Sequence, residues 1–204
     1  HRIAAAAEVA RLERDEAKIN DQHNGEYAFF PAVIVPEQQI HILGYYRLIR
    51  DWNGYTPNSL LQELKKNFRI EKIASKEPYY PGKKYEFGMY LDGKWFRINL
   101  REGLLRKEMN SIMQLDVSIL HHFILEPFFQ IKDPRQDNRI DFIGGSQLAS
   151  DFEKQIKQDI KIIFTLYPTS IDEVLAVSDE NKVMPPKSTW FEPKLRSGIF
   201  VHLF

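Results

Sequence analysis

Tyr85-Glu86-Phe87-Gly88-Met89-Tyr90-Leu91-Asp92-Gly93-Lys94-Trp95-Phe96-Arg97-Ile98-Asn99-Leu100 is the stretch on which the fold turns. Apolar side chains alternate on both sides of Asp92-Gly93, a dipeptide suited to the left-handed conformations of a two-residue β-turn, so residues 83–100 are predicted to form a hairpin. Downstream, 115–123 has helical spacing up to Pro127, 140–145 reads as a short strand or loop, and 148–156 reads as a helix. Residues 161–167 form a continuous apolar run, the pattern of a strand buried on both faces. Ser170 with Glu173 three residues on is a capping box, and Val174, Leu175 and Val177 mark that helix's apolar side. The last stretch, 198–204, reads as a terminal strand.

Upstream, Thr56-Pro57 opens a predicted helix over 58–68 with Leu60, Leu61, Leu64 and Phe68 as its buried stripe. Residues 27–35 are aromatic and β-branched, with Pro31 arguing for an edge strand, and they are expected to pair with the apolar stretch 40–49 beyond the turn at Pro36. Residues 3–18 are alanine-rich and read as a helix. The fold class expected is α+β: a mixed, largely antiparallel sheet with flanking helices. Residues 1–204 are expected to form a single domain, the C-terminal fragment of a longer protein, because His1 leads without a loop into Arg2-Ile3-Ala4-Ala5-Ala6-Ala7.

A 204-residue chain with 43% hydrophobic residues can bury a substantial core. Lys and Arg total 28 against 28 Asp and Glu, which removes the long-range field that draws a protein to nucleic acid or anionic membrane. Cysteine is absent, so disulfides, thiolate nucleophiles and thiolate-bound zinc are excluded. No apolar run approaches the ~20 residues of a membrane span. A cytoplasmic protein is the expectation.

Three stretches carry chemistry. An arginine at a helix start, Arg2, adds a charged fork to free backbone N–H groups, a combination that favours phosphate, and His1 beside it can bind phosphate or shuttle a proton. Lys187-Ser188-Thr189, with Lys194 and Arg196, offers charge and hydroxyl donors in a proline-stiffened loop, although Pro185 and Pro186 remove the N–H groups of a Walker A nest. Asp133, Asp137 and Asp141 alternate with arginines and are candidate ligands for a divalent ion, at a spacing unlike a calcium loop; the alternative is a solvated loop cross-braced by Arg–Asp pairs. Glu126 before Pro127 is a candidate general base. His121 and His122 are adjacent, which on an α-helix turns them about 100° apart and disfavours a shared metal.

Met184-Pro185-Pro186-Lys187-Ser188-Thr189-Trp190-Phe191-Glu192-Pro193-Lys194, with Ser197-Gly198, resembles the C-terminal signature of the domain of unknown function 1015 family. So do Phe87-Gly88-Met89-Tyr90, Leu115-Asp116-Val117 and Ile140-Asp141-Phe142-Ile143-Gly144-Gly145. His1-Arg2 match the end of that family's Asp-Gly-His-His-Arg stretch, which is similar to a motif of the ParB and sulfiredoxin-like superfamily, and Tyr46-Arg47 stands where the family usually has His-Arg. The resemblance implies a nucleotide or phosphate site. The function expected is a small-molecule phosphotransferase or phosphohydrolase using a nucleoside phosphate with Mg²⁺. Arg2 and Lys187 would hold phosphates, and Glu126 or an aspartate of 133–141 would serve as base or metal ligand. The alternatives are a non-catalytic nucleotide-sensing or partner-binding module and, ranked last, ParB-like DNA binding. The sequence does not decide whether the chain is an enzyme.

Overall fold

The computed structural model describes residues 2–17, 29, 32–105, 109–147, 149–194, 196, 198, 199 and 201. Two compact units result: His41–Glu192, and His1–Ile40 with Pro193–Phe204. The smaller unit contributes helix α1 (Arg2–Ala17), braced on its exposed side by Arg11 between Glu8 and Asp15, and a single 3₁₀ turn at Glu37–Gln39. Residues 29 and 32–36 form no strand, and the other residues of the strand expected over 27–35 lie outside those described. Prolines at 31 and 36 remove ladder donors from that stretch. Gly198, Ile199 and Val201 likewise carry no strand.

The larger unit is an α+β fold built on an antiparallel six-stranded sheet of order β3-β5-β4-β7-β2-β6. Its strands are β2 (Tyr45–Ile49), β3 (Phe68–Lys72), β4 (Glu86–Leu91), β5 (Lys94–Leu100), β6 (Ile140–Gly144) and β7 (Ile162–Leu166). The hairpin forms around Asp92 and Gly93, both at positive φ. A second, two-stranded sheet pairs β1 (His41–Leu43) with β8 (Trp190–Glu192). The stretch 40–49 thus splits at Gly44 and pairs with β8, β6 and β7, and none of the described residues of 27–35 pairs with it. A Cβ at Gly44 would lie 2.5 Å from the Tyr46 ring and 2.9 Å from the Leu166 carbonyl, so only glycine fits where the chain changes sheets.

Helices α2 (Pro57–Leu64), α3 (Asp116–Leu120) and α4 (Glu126–Phe129) supply side chains to the main core, and α5 (Ala149–Ile156) supplies Phe152 and Ile156 to a second cluster. The strand period sorts the sheet's side chains accordingly. Ile49, Phe164, Met89 and Ile98 join α2–α4, whereas Tyr46, Leu48, Ile163 and Trp95 join α5. Capping boxes at Thr56 and at Ser170, the latter opening α6 (Ile171–Asp179), fix two helix starts. The α2 spacing misled at its end: a turn at 65–67 releases Phe68 into edge strand β3, where it is still buried.

Gly88 sits mid-strand because a Cβ there would lie 2.1 Å from Thr165 Oγ1 and 2.4 Å from the Tyr79 carbonyl, the two groups joined by a 2.5 Å hydrogen bond. Gly88→Ala is expected to destabilise the protein by about 3 kcal/mol through overpacking, read as a lower urea midpoint at unchanged slope.

Candidate functional site

Between α3 and α4 the helix widens into a π-turn, His121–Leu125, in which the Glu126 N–H reaches the His121 carbonyl. Pro127 is tolerated beyond it because it stands in the first turn of α4, where its missing N–H is not needed. The two histidines meet different surroundings. His122 is exposed and lies edge-on to Phe123, whereas His121 is half-buried, within the electrostatic reach of Arg47. Burial, first, and the charges of His122 and Arg47 lower the His121 pKa against the opposing pull of Glu126 and Asp133, so His121 is neutral at pH 7. Single π-turns of this kind recur at functional sites.

Arg47 is the centre of β2 and only 4% exposed. It lies on the same sheet face as Tyr45 and Ile49, its guanidinium 5.5 Å from the centre of the Phe142 ring and donating to the Tyr45 carbonyl. No carboxylate pairs with it among the described residues. Burial pulls its pKa down to about 9, which leaves it charged at neutral pH.

The second cation arrives from the proline-stiffened loop. Lys187 adopts φ +56°, and the following residue, Ser188, is buried with its carbonyl accepting from Thr169 Oγ1 at 3.1 Å. Lys187 Nζ then lies 3.3 Å from the Tyr45 hydroxyl and 5.5 Å from its ring centre, with no ion-pair partner among the described residues. Tyr45 stands edge-on to Trp190 (5.5 Å) and Phe142 (6.3 Å). Trp190 is seated where Gly144 and Gly145 leave room: a Cβ at Gly144 would fall 2.1 Å from its ring. The Gly-Gly pair therefore serves packing.

Lys187 and Ser188 thus join Tyr45 and Arg47, with His121 and Glu126 on the adjoining helix, and half-buried Thr189 follows Ser188. Arg2 opens α1 in the other unit, exposed Lys194 and Arg196 also belong to that unit, and His1 lies outside the described residues. The carboxylates expected to share a metal are each taken by an arginine. Asp133 is held bidentate by Arg135 at 2.9 and 3.0 Å, which draws its pKa to about 2, Asp137 is held by Arg139 at 2.7 and 3.0 Å, and Asp141 pairs with Arg50. Among the described residues no group of three His, Asp or Glu is placed to hold a metal. Tyr45 and the buried Arg47 were absent from the expected site, although strand alternation already puts Arg47 on the face of Ile49.

Among solved structures, the chain is similar to a mutant free serine kinase in complex with ADP, at 18% identity and TM-score 0.44 over 79% of this chain and 58% of that one. It is similar to a free serine kinase in complex with AMP at 16% and 0.43 over 75% and 54%, and to a conserved hypothetical protein from Pyrococcus furiosus at 15% and 0.43 over 76% and 56%. The chain spans just over half the length of these structures. No curated protein matches. No described helix is long and apolar enough to cross a membrane. A family model described as "Protein of unknown function (DUF1015)" matches residues 1–118, a span that includes Tyr45 and Arg47.

Proposed function

This chain belongs to the DUF1015 family of proteins of unknown function, and from that premise we propose that the site around Tyr45 binds a phosphate-bearing small molecule, a nucleoside phosphate above all. The observation that carries the reading is a pair of cations with no carboxylate among the described residues to neutralise them: buried Arg47 on the Tyr45 carbonyl and exposed Lys187 on the Tyr45 ring. A buried charge is costly unless a partner compensates it, and a phosphate supplies that partner with acceptors for the guanidinium fork. The aromatic edges of Tyr45, Phe142 and Trp190 suit a base or other planar group.

His121, neutral at pH 7, is the residue to accept a proton from an attacking hydroxyl or water, with Glu126 able to stabilise the imidazolium formed. With that role filled, the reading extends to a phosphotransferase or phosphohydrolase, in which positioning and charge do most of the catalysis. Ser188 and Thr189 extend the phosphate contacts. Arg2, Lys194 and Arg196, in the other unit, are proposed separately as phosphate-binding residues, on the similarity of His1-Arg2 to the ParB and sulfiredoxin-like motif. Mg²⁺ would arrive with the nucleotide's own phosphates, since Asp133, Asp137 and Asp141 are already paired.

The test is a thermal-shift titration with nucleoside di- and triphosphates, with and without Mg²⁺, followed by an assay for phosphate release or transfer. A ligand that binds the native state raises the melting temperature, and Lys187→Ala is expected to weaken that ligand about tenfold. No shift with any nucleotide rejects the reading. Binding without turnover assigns the site to sensing.

A further inference from the structure

The β3 edge of the six-stranded sheet carries a second concentration of charge. Register aligns Arg69, Asn99 and Glu86 across β3, β5 and β4, with Glu71 and Arg97 paired in the next row. These side chains alternate with Phe68, Ile70, Phe87 and Ile98 of the main core, so they project from the face opposite to that of Arg47. Lys83 and Arg101 help to close a groove of about 630 Å³ around them. That is the size of a small-molecule pocket.

The acids of the groove are largely committed. Glu86 is 5% exposed and accepts from the Tyr79 hydroxyl at 2.7 Å and the Gly82 N–H at 3.0 Å. Glu71 is held by Arg97, and Lys84 pairs outward with Glu173. The cations are not committed to the same degree. The side chains of Arg69 and Lys83 make no hydrogen bond or ion pair among the described residues, the Arg101 side chain donates only to the Lys65 carbonyl at 3.0 Å, and the buried Arg97 Nε has no partner. Glu102 and the buried Glu86, whose donors are neutral, offset two of these charges and leave the cations in excess. In a chain of zero formal net charge, such an excess is a local construction.

We propose that this groove is a second ligand site, taking a small polyanion with two or more phosphate groups. Arg69 and Lys83 would bind its charge, Arg97 Nε would gain an acceptor, and the Asn99 amide would fix its orientation at the floor. The site is separate from the one around Tyr45 and stands whether or not that site binds nucleotide.

Inorganic tripolyphosphate is the probe, titrated calorimetrically into Arg47→Met, in which binding at the Tyr45 site is lost, with the Asn99 side-chain amide followed by NMR. Binding that shifts the Asn99 signals, weakens with added salt and falls at least tenfold when Arg69→Gln and Lys83→Gln are added supports the site. Both positions are exposed, so those variants should keep the wild-type melting temperature. Absence of binding, or an affinity unchanged by the two glutamines, overturns the proposal.

Discussion

Arg47→Met is expected to raise the melting temperature while abolishing nucleotide binding. The wild-type guanidinium sits in an apolar layer, on the same face as Phe142, Phe164 and Ile49, with one backbone acceptor and no counter-ion. Replacing a buried charge by an apolar side chain of similar length is commonly neutral or stabilising by 1–4 kcal/mol; about 2 kcal/mol is expected here, after loss of the bond to the Tyr45 carbonyl. Binding should fall by at least 100-fold, because a charge-assisted bidentate contact to phosphate would be removed. The variant also reports on geometry: without the cation the His121 pKa should rise, which an NMR titration reads directly. A variant that loses stability yet keeps its nucleotide shift would falsify the assignment of Arg47 to a phosphate.

Asp116→Asn is expected to stabilise the protein above pH 7 and to flatten its stability profile. Asp116 is 7% exposed at the start of α3; one oxygen accepts the Tyr85 N–H at 2.9 Å and the other, buried, has no partner. Burial first, and then the charge of Glu173, raise its pKa to about 7, while the Tyr85 N–H and Lys84 pull the other way. The folded state therefore holds a proton that the unfolded chain, with a pKa near 3.8, has released. Stability is full below about pH 4 and declines as pH rises through 7. The shift of roughly three units corresponds to about 4 kcal/mol at pH 8. Asparagine keeps the acceptor for Tyr85 and carries no charge, so it should recover most of that loss. Urea midpoints between pH 4 and 8 decide it: equal slopes in wild type and variant would remove Asp116 as the cause.

The parts of the fold legible in the sequence are those written locally. The Asp92-Gly93 hairpin, the Thr56 and Ser170 caps and the apolar run of β7 each depend on a few adjacent residues whose chemistry permits little else. What was missed depends on distant partners. Phe68 fits the helical stripe of α2 equally well, and only pairing with β5 makes it strand. Trp190-Phe191-Glu192 is too short to announce a strand without β1. At the site, Lys187 stood out by its neighbours in sequence, whereas Arg47 reads as an ordinary polar residue until the helices above its sheet face are known. His121 was set aside on α-helical geometry, and no residue pattern announces a π-turn. The alternation of 133–141 already suggested a loop cross-braced by Arg–Asp pairs, and Asp133 and Asp137 are braced so; the partner of Asp141, Arg50, lies far away in the chain and was not legible.

The short β1–β8 sheet joins residues about 150 apart in the chain, His41 opposite Glu192. So long a loop is slow to close, which places this pairing, and with it the seating of Trp190 and the final position of Lys187, late in folding. The same geometry brings the two ends of the larger unit side by side. It can therefore be circularised by a short linker and reopened elsewhere, or grafted into a surface loop of another protein, without stretching the chain at either end.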